Sequence, residues 1–324
     1  MTRPLPILTL TPNPAIDQTI ELPALTPGAV NLARAVQHNA GGKGINVASC
    51  LADWGAPVIA AGLLGQDNAA PFEALFAQKG IQDACQRLPG ATRTNIKLAA
   101  ADTGETTDIN LPGPAVPAAA WQALLADVAA RVQPGQWALA AGSLPPDLRA
   151  QGYAPLLQLL AAQGARVALD TSGAALAQAM QTVQQERLPL ALIKPNRHEL
   201  QELAGRPLPD TAALLHEARR LNRLGIEAVA ISLGADGALL CTATGAWQAA
   251  PLPVQPLSTV GAGDAQVAGL LAARHAGQPW PEALRLGVAF ATAKLGRIGP
   301  HLPAPAQVQA LAARVQVQAL PLPA

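Results

Sequence analysis

The sequence predicts an α/β fold with a mostly parallel central sheet and a separate small β lid. Three observations carry this. From residue 117 onward, short apolar strand candidates, each followed by a polar or glycine-containing turn, alternate with helical patterns. Two half-polar stretches, at about 17–37 and 92–111, do not suit a sheet buried on both faces and form the lid. Half of the 324 residues are apolar, which allows a large core, and only 3% are aromatic, so Ala, Leu and Val must build it. A single domain over 1–324 accommodates the pattern, with no internal repeat and no long linker.

In chain order, residues 7–11 are β-branched or apolar and end at Pro12, a first strand. Residues 19–22 and 31–37 read as half-exposed strands. A helix opens at 39–46, runs to Trp54 and stops at Gly55. Residues 58–64 are a buried strand, and 71–79 a helix ended by Gly80. Residues 94–100 and 105–111 flank Asp102-Thr103-Gly104 as a hairpin with one polar face. Trp121, Leu124, Leu125, Val128 and Val132 recur at helical spacing. So do Leu214, Leu215, Ala218 and Leu221. Residues 137–141, 167–170, 190–193 and 228–232 are short buried strands, and 265–276 is an apolar helix. From Gln316 a loosely held tail is expected.

Composition excludes several classes of function. The net charge is +1 with no basic stripe, so nucleic acid is not an expected partner. The three cysteines are odd in number and widely spaced, which points to a reducing compartment and to neither a disulfide framework nor a zinc site. Residues 1–10 lack the pattern of a signal peptide, and no apolar run is long enough to cross a membrane. A cytoplasmic protein is expected.

The chemistry concentrates where strands end. In Ser258-Thr259-Val260-Gly261-Ala262-Gly263-Asp264, two glycines let backbone amides converge at a helix start, where an anion can sit. Asp264 puts a carboxylate beside it, suited to taking a proton from a hydroxyl. The plain alternative is a glycine-rich turn with Asp as a helix cap. Asp17 follows the first strand and could bind polyol hydroxyls, or simply cap a turn. Gly41-Gly42-Lys43-Gly44 offers open amides and one cation without being a Walker A loop, or merely starts a helix. Arg93, Asn95 and Lys97 alternate on one strand face, suited to a phosphate ester or to solvent. Asn196 and Glu199 share a helix face after Lys194-Pro195, either as a hydrated Mg²⁺ site or as a capping pair. The turn Ser232-Leu233-Gly234-Ala235-Asp236-Gly237 could approach a nucleotide. The five histidines lack metal-ligand spacing.

Together, residues 11–17, 41–46, Lys194-Pro195-Asn196 with Glu199, and 258–264 resemble the PfkB/ribokinase family of sugar kinases. Val30-Asn31-Leu32, residues 42–48, 93–98, Gly142-Ser143-Leu144-Pro145 and 231–234 are most similar to its 1-phosphofructokinase branch. Tagatose-6-phosphate and 6-phosphofructokinase relatives share most of these motifs. The resemblance runs from about residue 7 to 300 and implies a ribokinase-like three-layer sandwich whose β lid also forms a homodimer interface. It implies ATP-dependent phosphorylation of fructose 1-phosphate. Asp264 becomes the base, and Gly261, Ala262 and Gly263 the anion hole. Asp17, Gly42, Lys43, Asn46, Arg93, Asn95 and Lys97 become sugar-phosphate contacts. Lys194, Asn196, Ser232, Gly234, Gly237 and Thr259 would face ATP, and Glu199 would orient Mg²⁺ through water. Gln266 departs from the family pattern, as does 291–299, where no residue is assigned. The rival of another class is a sugar-phosphate-binding regulator without catalysis. Ribokinase or nucleoside-kinase activity is disfavoured by the cationic 93–97 face.

Overall fold

A run of apolar and β-branched residues gives β1 (Ile7–Thr11), buried at all five positions, in a computed structural model that describes residues 4–322. It is followed by β2 (Ala15–Leu22), β3 (Ala35–Gly41), α1 (Lys43–Trp54), β4 (Val58–Gly65), α2 (Ala70–Lys79), β5 (Gln82–Leu88), β6 (Thr94–Ala100) and β7 (Thr106–Asn110). Next come α3 (Ala118–Arg131), β8 (Trp137–Ala141), α4 (Ala154–Ala162), β9 (Arg166–Asp170), α5 (Gly173–Glu186), β10 (Leu190–Ile193), α6 (Arg197–Ala204) and α7 (Thr211–Arg223). The chain closes with β11 (Ile226–Ser232), β12 (Ala238–Thr242), β13 (Ala246–Ala249), α8 (Ala262–His275), α9 (Trp280–Leu295), α10 (Pro305–Ala312) and β14 (Val317–Leu320).

The central sheet has ten strands in the order β14-β13-β12-β11-β10-β9-β8-β1-β4-β5. From β11 to β5 every pairing is parallel. The β12–β14 end is antiparallel, so the mostly parallel sheet is partly mixed. Side chains alternate across each strand and feed two cores. Ile7 joins a cluster with residues of α1, α2, α8, α9 and α10, while Leu8 and Leu10 join one with α3 to α7. The result is a three-layer sandwich. No helix among the described residues is long and apolar enough to cross a membrane.

The lid is a second, four-stranded sheet, β3-β2-β6-β7. Residues paired across strands share a face. One face carries Asn39, Asp17 and Asn95 in register, then Thr19, Lys97 and Asp108. The other carries Val36, Ile20 and Leu98, then Ile96 and Ile109. The lid is thus polar inside and apolar outside.

Three expectations are corrected. Residues 31–34 are not strand: the Asn31 side chain accepts from the Thr26 amide at 2.8 Å and donates to the Ala29 carbonyl at 3.0 Å, closing a local turn. Residues 39–41 belong to β3, where Gly41 pairs with Ala15, so the helix starts only at Lys43. The tail is not loose: β14 pairs with β13 from Val317 opposite Ala249 to Leu320 opposite Ala246, and the Ala250 amide donates to the Gln316 carbonyl at 3.0 Å. Residues 1–3 of the N-terminal stretch and 323–324 of the tail lie outside the described residues.

α8 and α9 pack backbone to backbone. A Cβ on Gly269 would lie 2.7 Å from both the Gly287 Cα and the Leu286 carbonyl oxygen. Gly269→Val should therefore destabilise the protein by about 1–3 kcal/mol through overpacking. Its gain in helix propensity, under about 1 kcal/mol, cannot offset that. Chemical denaturation of both proteins tests this, and an unchanged midpoint would show that the two helices can separate freely.

Candidate active site

Parallel strands and the helices that follow them open at the carboxyl ends of the strands. Thr11, Gly142, Asp170, Lys194 and Ser232 all stand at or just beyond such ends. α8 starts there as well, because Gly261 at its N-cap takes φ +79°, a conformation that favours glycine. The first amides of an α-helix lack partners within it and sit at its positive end. Beside them Asp264 is buried, and its Oδ2 accepts from Asn46 Nδ2 at 2.7 Å. The Lys194 ammonium is 3.5 Å from the position a Cβ on Gly263 would take.

A buried charge system surrounds Asp264. Asp170, at the end of β9, holds Lys43 Nζ at 3.3 Å and Lys194 Nζ at 3.6 Å. Asp170 raises the Lys43 pKa above the ordinary lysine range, more strongly than burial lowers it. The Asp264 carboxyl is raised above the ordinary aspartate range, first by burial. The positive charge of Lys43 opposes that rise, Asp170 adds to it, and the Asn46 hydrogen bond and Lys194 oppose it.

The lid brings a second cluster. Asp17 lies in β2 itself, not in a turn, and accepts from Asn95 Nδ2 at 3.1 Å. Arg93 donates to Asn95 Oδ1 at 2.8 Å and to the Asn13 carbonyl at 3.3 Å, and Asn13 Nδ2 donates to Ser143 Oγ at 3.0 Å. Lys97 lies 3.3 Å from Asp108 and 3.9 Å from Asp17. Burial, the largest influence, raises the Asp17 carboxyl, and Lys97 opposes it. One cavity joins the two clusters, lined by Asp17, Asn39, Asn46, Lys97, Gly261 and Lys294 among others. Gly42 and Lys43 begin α1 close by, but the Lys43 ammonium is directed to Asp170 and not to Arg93.

The remaining expected residues gather at the ends of β10 and β11. Asn196 and Glu199 form a capping box. Asn196 Oδ1 accepts from the Glu199 amide and Glu199 Oε2 from the Asn196 amide, each at 2.8 Å. Asn196 bridges to Ser232, whose amide donates to the Pro195 carbonyl at 3.1 Å. Gly234 and Gly237 take φ +60° and +86° in the turn that follows. A Cβ on Gly237 would also collide with the Ala249 carbonyl, so packing requires this glycine. The Thr259 carbonyl accepts from the Ala262 amide at 3.3 Å across the first turn of α8.

Two site residues escape the sequence reading. Asp170 carried a readable signal, a lone acidic residue ending an apolar strand. Lys294 carried none, since it stands inside an apolar helical run.

The model of the pfkB family carbohydrate kinases matches residues 10–307. A 1-phosphofructokinase of Xanthomonas campestris pv. campestris is 46% identical over 318 residues, covering 97% of this chain and 98% of that protein. Another, from Rhodobacter capsulatus, is 46% identical over 317 residues, covering 97% and 98%. The crystal structure of Escherichia coli phosphofructokinase-2 in complex with fructose-6-phosphate superimposes with a TM-score of 0.86 at 28% identity, covering 95% of this chain and 98% of that one.

Asp264 keeps its proton to higher pH in the folded chain than in the unfolded one. Stability therefore falls as pH rises from the ordinary aspartate value of 3.8 through the raised one. Above that window the carboxylate is a net burden on the fold, as functional groups often are. Asp264→Asn should melt higher than wild type at about pH 7.5, with the gap closing towards about pH 3.5. Thermal melts at the two pH values decide it; a variant that melts lower at the higher pH contradicts the raised pKa.

Proposed function

We propose that this chain, which belongs to the pfkB family of carbohydrate kinases, transfers the γ-phosphoryl group of ATP to the 6-hydroxyl of fructose 1-phosphate, giving fructose 1,6-bisphosphate. One observation carries the reading: a single cavity is lined from below by Asn46 and Gly261, next to Asp264, and from above by Asp17 and Lys97 of the lid. An acceptor sugar held there meets a carboxylate beside a helix start. The relatives named 1-phosphofructokinase, matched along nearly their whole length, support the choice of phosphosugar.

In this reading Asp264 removes the proton of the attacking hydroxyl. A carboxyl with a raised pKa is a stronger base than an exposed aspartate, and Lys43 and Lys194 oppose that rise. The amides of Gly261, Ala262 and Gly263 receive the charge of the transferring group. Asp17 and Asn95 bind sugar hydroxyls. Arg93 and Lys97, with Gly42, Lys43 and Asn46, hold the sugar and the phosphate it already carries. Lys194, Asn196, Ser232, Gly234, Gly237 and Thr259 face the nucleotide. Mg²⁺ supplies charge neutralisation on the ATP phosphates when bound. One fixed carboxylate would suffice to orient a hydrated ion there. Glu199 suits that role, since the capping box pins its carboxylate at the helix start.

Lys97 is restrained by Asp17 and Asp108, so a phosphate at the lid meets a cation already held in place. A 6-phosphate sugar would have to enter reversed and leave polar partners of Asp17 unmatched. kcat/KM for fructose 1-phosphate should exceed that for fructose 6-phosphate and tagatose 6-phosphate by at least about 10²-fold. Asp264→Asn should lose about 10²–10⁴-fold in turnover. Steady-state kinetics with coupled ADP detection test both. A preference for either 6-phosphate would move the enzyme to a sister branch, and absence of ATP turnover would make it a sugar-phosphate-binding regulator.

The outer lid face supports a homodimer. Val36 and Ile109 are 47% and 44% exposed on this apolar face. Ile109→Glu should yield monomers by light scattering at micromolar concentration; a wild-type protein already monomeric and fully active would exclude this interface.

A further inference from the structure

Lys294 is an unusual lysine. It lies in the last turn of α9 and is only 1% exposed, yet it reaches the cavity shared by Asp17, Asn46, Lys97 and Gly261. Its ammonium donates to the Arg297 carbonyl at 2.9 Å, a neutral partner. Burial pushes its pKa below the ordinary lysine range, while Cys50 and Asp264 act to raise it. A cation buried without a bonded carboxylate costs stability, and an apolar side chain of similar length would pack there more favourably.

Its surroundings suggest what offsets that cost. A Cβ on Gly261 would lie 3.5 Å from Lys294 Cε, so the lysine stem runs directly beneath the N-cap of α8. The adjacent Leu295 carbonyl accepts from the Leu257 amide at 2.8 Å and the Ser258 amide at 3.3 Å. The end of α9 therefore grips the segment leading into Gly261, and the Lys294 ammonium ties that end to the loop beyond it.

Building on the phosphotransfer reading above, we infer that Lys294 is a positioning residue of this site. It fixes turn 258–261 and lends positive charge behind the amides of 261–263. Charge that develops on a transferring phosphoryl group is stabilised best by such preorganised positive potential.

Three variants test it. Lys294→Met keeps length and loses charge; Lys294→Gln keeps a donor for the Arg297 carbonyl and loses charge; Lys294→Ala leaves room for an added cation. Lys294→Met and Lys294→Gln should lose about 10–10²-fold in kcat. Their KM for fructose 1-phosphate should stay within about threefold, because only the transition state is affected. Added ammonium chloride should restore part of the kcat of Lys294→Ala, while tetramethylammonium chloride at equal ionic strength should not. Wild-type kcat in Lys294→Met or Lys294→Gln would overturn the inference. So would a Lys294→Ala defect that ammonium does not relieve, or failure of all three to fold, which would make the lysine purely structural. Wild-type turnover and its loss in Asp264→Asn report on the kinase reading separately. An active wild type with an indifferent Lys294→Met removes this inference alone.

Discussion

The arrangement of this site depends on one buried carboxylate, Asp170, held between two lysines. Burying a charge is costly, and surrounding partners offset that cost. Asp170 has such partners in Lys43 from the start of α1 and Lys194 from just beyond β10, so three separate segments must converge at one point. Gly142 helps to fix them: its amide donates to the Asp170 carbonyl at 3.0 Å, and its own carbonyl accepts from Thr171 Oγ1 at 2.7 Å and Tyr153 Oη at 2.9 Å. Both lysines then face Asp264 as well as Asp170. A second carboxylate can be buried a short distance away because the cations serve both. Without that sharing, the first turn of α8 would bring an uncompensated negative charge into the core.

The lid answers a different constraint. A small sheet is stabilised when its apolar face is covered. Its inner face closes over the strand ends with Asp17, Asn95 and Lys97, whose charges are largely matched within the sheet. Its outer face presents Val36, Ile20, Leu98, Ile96 and Ile109 in register. Polar inside and apolar outside is the reverse of an ordinary surface sheet. It is the pattern that the proposed sugar site and the proposed dimer would each require.

Much of this was legible in the sequence, and the unread parts have physical causes. Strands β1, β4, β8, β9, β10 and β11 announced themselves, because parallel strands buried on both faces are short continuous apolar runs. β5 did not: Gln82, Asp83, Gln86 and Arg87 are those of an exposed edge strand, and their polarity hides it. α9 carries little helical signal because it is apolar nearly all round, which erases helical periodicity. β14 reads as a tail because four residues, two half-buried and two exposed, carry too little pattern. Within the site, motifs made of neighbours in sequence were readable, as with Gly261 to Asp264. Contacts across the chain were not: the Asn46 bond to Asp264 joins residues 218 apart, and the Lys43 bond to Asp170 residues 127 apart.

The glycines of 41–44 have steric causes that the sequence alone does not display. Read as a sequence, they were open amides with a cation among them. In the fold each has a steric cause. A Cβ on Gly41 would lie 2.7 Å from Asp17 Oδ2, and one on Gly42 2.9 Å from Thr11 Cγ2, with φ already at +113°. A Cβ on Gly44 would collide with Thr11 Oγ1 and lie 3.0 Å from the Leu10 carbonyl oxygen. The glycines let β3 turn into α1 directly against the end of β1. That close approach directs Lys43 inward to Asp170 and leaves Asp17 room beside β3. Small size at three positions therefore sets the placement of one cation and one carboxylate that belong to different clusters.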